Sequence, residues 1–96
     1  MTSKRRFASV WDAIEDSAAE AASMKLRAEL AIQIVETARR RKLTQAALAK
    51  LIGVTQPRVS DLTRGRLDRF SLDTLVDMAD LLGLRTRMVV SPKRAA

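Results

Sequence analysis

Residues 44–64 read TQAALAKLIGVTQPRVSDLTR, two short helical patterns separated by a single glycine. In the first, Leu48, Ala49 and Ile52 recur at helical spacing and share one face. Gly53 then supplies a residue that takes positive φ without steric cost, as a sharp turn between packed helices requires. A second helix is expected over 56–64, with Val59 and Leu62 inward. Thr55 suits its N-cap, because a hydroxyl there accepts a bond from an orphan backbone N–H. Pro57 falls in the first turn, where a missing N–H costs least. This arrangement leaves Gln56, Arg58, Ser60, Asp61 and Arg64 facing solvent. A short rigid helix with a basic and amide-bearing outer face matches what the major groove of a DNA duplex admits.

Charge is concentrated on the same stretch. The 96-residue chain has a formal net charge of +7. Residues 1–38 carry a net −1, residues 39–66 a net +7 and residues 67–96 a net +1. Positive charge clustered beside a groove-sized helix favours a polyanion, through release of condensed counterions. The chain has no cysteine, which removes disulfides and thiolate metal sites, and no histidine or tyrosine, which removes the commonest general base. We therefore expect no enzyme, no metal and no cofactor. No apolar run approaches the length of a membrane span and the N-terminus has no hydrophobic signal core, so a soluble cytoplasmic protein is expected.

Around the motif, an all-α domain of about five helices is expected over residues 9–90. Residues 1–8 (MTSKRRFA) begin with a short basic run and are expected to be a disordered arm. Ser9-Val10-Trp11-Asp12 has the form of a capping box and opens a helix to about Asp16. Ser17-Ala18-Ala19-Glu20 is a second capping box, opening a helix to about Arg41 whose inner stripe is Leu26, Leu30, Ile34 and Ala38, widened by Ala31 and Val35. Three apolar pairs straddle helix entries as hydrophobic staples: Leu43 with Leu48, Val54 with Val59, and Phe70 with Leu75. They support helices at 45–52, 56–64 and 72–82, with Gly65 and Gly83 as C-terminal caps of the last two. Leu72, Leu75, Val76, Ala79 and Leu82 form the inner stripe of the 72–82 helix. Opposite them Asp73, Asp77 and Asp80 make a solvated acidic face, since nothing nearby completes a metal ligand set. After Gly83 the period changes to two: Leu84, Thr86, Met88 and Val90 alternate with Arg85, Arg87 and Val89, which predicts a strand over 84–90. No second strand exists in the chain, so its ladder partner is expected to be the same strand of a second copy, antiparallel about a two-fold axis, or a strand of another protein. Residues 91–96 are a tail.

Gln45, Ala49, Gly53, Val54, Gln56, Val59, Ser60 and Leu62 together resemble the helix-turn-helix of the lambda-repressor-like, XRE-type family. The flanking FASVWDAIED and FSLDTLVDMADLLG look like the small XRE-type proteins that include HigA-type antitoxins. This resemblance implies a homodimeric repressor that binds double-stranded DNA, or an antitoxin that neutralises a partner toxin and represses its own operon. It implies that Gln56 makes a bidentate contact with adenine and that Gln45 clamps a phosphate. Arg58 suits guanine or a phosphate, while Ser60 and Asp61 face the groove floor, Asp61 as an acceptor from a base amino group. Thr44, Thr55, Arg64 and Arg66 complete the expected backbone contacts. Pro57 stands where several relatives carry a polar residue.

Overall fold

The computed structural model describes the backbone of residues 2–93, and the side chains from Ala18 to Lys93. Four α-helices follow in order: α1 (Thr2–Arg40), α2 (Gln45–Ile52), α3 (Gln56–Thr63) and α4 (Leu72–Leu81), with a 3-10 turn at Leu67–Arg69 between the last two. The short helices agree with the sequence pattern to within one residue at each end, because apolar period, cap residues and turn glycines all act locally.

One long helix replaces two expected ones. The proposed arm at 2–8, the helix at 9–16 and the helix from 18 all lie within α1, and both serine capping boxes fall in its interior. The reason is physical. Between Asp16 and Ala18 there is only Ser17, with no glycine or proline to break the backbone ladder. A serine cap signal competes weakly with continuous helical hydrogen bonding through Ala-rich sequence. Met1, at the start of the expected arm, and the tail residues 94–96 lie outside the described residues, as does the side chain of Trp11.

The core gathers the inner faces of all four helices together with Phe70. Ile34 of α1, Val59 and Leu62 of α3, Phe70, and Leu75 and Leu82 at α4 are its fully buried larger side chains. Leu48, Ala49 and Ile52 bring α2 into the same cluster. Two expectations for the stripes change. Leu26 is 47% exposed, whereas Arg27 and Leu30 on the same helix are half-buried. Thr37 is buried instead, its hydroxyl donating to the Gln33 carbonyl at 2.7 Å so that no polar atom is orphaned.

All four helices end by the same device. The N–H of the residue after a left-handed one returns to the carbonyl five positions earlier: Leu43 to Ala38, Val54 to Ala49, Arg66 to Asp61 and Leu84 to Ala79, at 2.9–3.0 Å. This is the Schellman closure, which requires left-handed backbone at the preceding residue. At α2 that residue is Gly53, φ 69°. At α1 it is Lys42, φ 57°, the one described non-glycine residue with positive φ.

The closure of α4 corrects the C-terminal expectation. Leu84 is half-buried against the core as the apolar residue of that closure, rather than the first residue of a strand. Among the described residues there is no strand, and Thr86, Met88 and Val90 are exposed. Beyond Leu84 the described backbone makes no hydrogen bond to other backbone. An isolated strand has no ladder to close, so alternation alone does not make one within a single chain.

The Lys42 cap yields a stability prediction. A β-carbon in the left-handed region costs about 1–2 kcal/mol, partly offset in glycine by greater unfolded-state freedom. Lys42→Gly should therefore raise unfolding free energy by about 0.5–1 kcal/mol. A urea unfolding curve with an unchanged or lower midpoint would show that the closure is not under strain.

Candidate nucleic-acid interface

Two caps orient the motif. The Thr44 hydroxyl oxygen accepts from the Ala47 N–H at 3.0 Å, which starts α2 and leaves the hydroxyl proton free to donate outward. Gln45 follows it, exposed, at the first position of α2. Thr55 has the extended backbone of an N-cap but makes no side-chain cap bond, contrary to expectation. The first turn of α3 thus keeps its N–H groups without a side-chain acceptor, and the Thr55 hydroxyl stays available.

On α3, Val59 and Leu62 point into the core and fix which residues point away. At 100° per residue the outward direction falls on Pro57 and Arg64, with Gln56 and Ser60 on one shoulder and Asp61 on the other. Gln56, Pro57 and Arg64 are exposed and Ser60 is half-buried. Arg66, just past the helix, is also exposed, as are Arg39, Arg40, Arg41 and Lys42 at the end of α1.

Arg58 and Asp61 occupy different surroundings from those the sequence suggests. Arg58 lies against the 67–70 segment: its Nη1 donates to the Arg69 carbonyl at 2.8 Å, and its guanidinium carbon stands 4.1 Å from the centroid of the Phe70 ring. Asp61 accepts from Arg69 Nη1 at 3.2 Å. From the other side Arg27 of α1 donates to the carbonyls of Leu67 and Phe70, at 3.3 and 3.4 Å. This brace has little local signature, because its partners lie 8, 11, 40 and 43 residues apart and no helical period links them.

The residues expected for backbone and base contact therefore divide. Among the described residues, the side chains of Thr44, Gln45, Thr55, Gln56, Ser60, Arg64 and Arg66 make no hydrogen bond or ion pair apart from the cap at Thr44. Arg58 and Asp61 hold α3 to the segment behind it. Sequence reasoning passed over Pro57 as a departure, yet it stands at the centre of the outward face. Leu84, expected in a dimer strand, belongs to the core edge, and Thr86, Met88 and Val90 are exposed in a stretch without regular structure.

Arg58 should thus matter to the free protein. A stacked, hydrogen-bonded guanidinium in this setting contributes about 1–2 kcal/mol. Arg58→Ala should lower unfolding free energy by that amount, and Arg58→Lys should restore less than half, since an ammonium keeps the charge and loses the planar stack. Wild-type stability in Arg58→Ala, measured without DNA, would leave the side chain unoccupied and available for bases.

Comparison with known proteins agrees with this geometry. A family model described as a helix-turn-helix domain matches residues 13–91. A solved structure described as an XRE family transcriptional regulator superposes with a TM-score of 0.74 at 31% identity, over 80% of this chain and 90% of that one. No curated protein sequence matches. No described helix is long and apolar enough to cross a membrane. The match over most of the chain, together with the α2–turn–α3 geometry, assigns the protein to the helix-turn-helix family of XRE type.

Proposed function

We propose that this protein is a sequence-specific DNA-binding regulator, acting as a homodimeric repressor that inserts α3 into the major groove. The observation that carries this reading is the outward face of α3, where Gln56, Pro57, Ser60 and Arg64 stand clear of the core within the most basic stretch of the chain. Gln56 reads an adenine through its amide, and Ser60 contacts an adjacent base edge. Pro57 offers an apolar ring edge to a thymine methyl, replacing the polar contact of several relatives. Thr44, Gln45, Thr55, Arg64 and Arg66 hold phosphates on either side. Arg58 and Asp61 act behind the interface, fixing the angle at which α3 leaves the domain. Two copies pair through the 84–90 segment, which is exposed from Arg85 onward and whose backbone beyond Leu84 makes no hydrogen bond to other described backbone.

A second reading is an antitoxin whose partner toxin docks away from α3. It is supported by the length of α1, whose residues 18–22 are exposed and project beyond the core. An adjacent gene for a small basic protein that co-purifies with this one would favour it. It is compatible with operator binding.

Two measurements test the DNA reading. If six to ten phosphates are neutralised, affinity for a preferred duplex should fall by about 10³–10⁵-fold between about 50 and 200 mM salt. A flat salt dependence would remove the phosphate contacts and leave a protein-only role. Separately, Gln56→Ala should cost about 1–3 kcal/mol on the preferred site and relax preference at one base position. Gln45→Ala should instead weaken preferred and unrelated duplexes alike. Uniform loss in Gln56→Ala would move base recognition to another residue.

A further inference from the structure

The acidic face of α4 takes no part in the DNA reading, because carboxylates repel phosphate. Asp73, Asp77 and Asp80 are all exposed there. Among the described residues the one ion pair within 4 Å joins Arg69 to Asp61, so no described cation pairs with these three aspartates at that distance. Asp77 and Asp80 border an open groove whose other walls are Val76, Gly83, Leu84 and Thr86, with one cation, Arg85, among them. Beyond Thr86 the described chain makes no backbone hydrogen bond to other described backbone, and Met88, Val89 and Val90 are exposed by 78, 89 and 84%. Lys93 and Arg94 follow in the sequence.

One chain thus carries an open groove with two carboxylates against one arginine and, beyond it, an apolar-basic run whose described residues, from Arg87 to Lys93, do not line it. We propose that each groove receives the 88–94 segment of a second copy, so that the two chains exchange their C-terminal ends. This rests on the homodimer reading and specifies its contact. Antiparallel pairing of two 84–90 segments sets Val90 of one copy opposite Leu84 of the other, at the mouth of the groove. Met88 and Val90 then cover Val76 and Leu84, and the basic residues that follow lie over Asp77 and Asp80. A two-fold axis satisfies both grooves at once and closes the assembly at two copies. The charges also set the alternative at a disadvantage: a parallel arrangement leaves both basic ends together and both acidic grooves empty.

Charge reversal in trans tests the exchange. Asp77→Lys with Asp80→Lys sets lysines against a basic segment, and Lys93→Glu with Arg94→Glu sets glutamates against an acidic groove. Each double variant alone should dimerise at least about tenfold more weakly than wild type by sedimentation equilibrium, with an unchanged circular dichroism spectrum. Mixed in equal amounts they should recover dimer, since both grooves of the mixed pair then face opposite charge. Wild-type dimerisation of either double variant, or a mixture that stays monomeric while each variant remains folded, overturns the exchange. Met88→Pro separates the two levels of the argument. A dimeric wild type that this substitution dissociates, with charge reversal silent, keeps segment pairing and rejects the groove. A monomeric wild type rejects the homodimer itself and the exchange with it.

Discussion

Four residues, Leu67 to Phe70, hold the recognition helix in place. The Phe70 ring is buried in the core, and the carbonyls of Leu67, Arg69 and Phe70 accept from two arginines of different helices. Arg27 reaches them from α1 and Arg58 from α3, while Arg69 completes the join through Asp61. The need for such a brace follows from length. A helix of eight residues is far too short to be stable alone, so α3 takes both its existence and its direction from what lies behind it. Val59 and Leu62 fix its rotation, and the 67–70 segment fixes its tilt. The result is a helix with one immobilised flank and one free face, as rigid presentation to a groove demands.

A second constraint sets the spacing of the elements. Leu43 is the apolar residue that closes α1 and also the residue preceding the cap of α2; Val54 does the same between α2 and α3. One side chain thus ends a helix and starts the next, and each is half-buried against the common core. This leaves no slack in the connections. The α2–α3 turn therefore holds its geometry through two backbone bonds and one apolar contact, without any long-range polar partner of its own.

What the sequence disclosed follows from which forces act locally. The ends of α2, α3 and α4 were legible because period, staple and cap all lie within a few residues of the boundary. Lys42 was not, since its left-handed backbone is imposed by the closure over Ala38 and runs against lysine's own preference. The break expected at Ser17 had a cap signal without a breaker, and continuous helix prevailed. At the far end, alternation in 84–90 suggested a strand that the chain does not form among its described residues, and Leu84 is held instead by the closure of α4. At the interface, exposure was legible for Gln56 and Arg64, which only have to avoid the core. The roles of Arg58 and Asp61 were hidden, because they depend on where Arg69 and Phe70 arrive after the chain has turned.

The placement of charge completes this division of labour. The basic excess surrounds α2 and α3, whereas the acidic triplet is carried by α4, which packs on α1 and α2. A polyanion approaching the molecule is attracted at one region and repelled at another, so the field itself favours the orientation in which α3 leads. Net positive charge therefore speeds arrival at DNA, and its uneven distribution decides which face arrives.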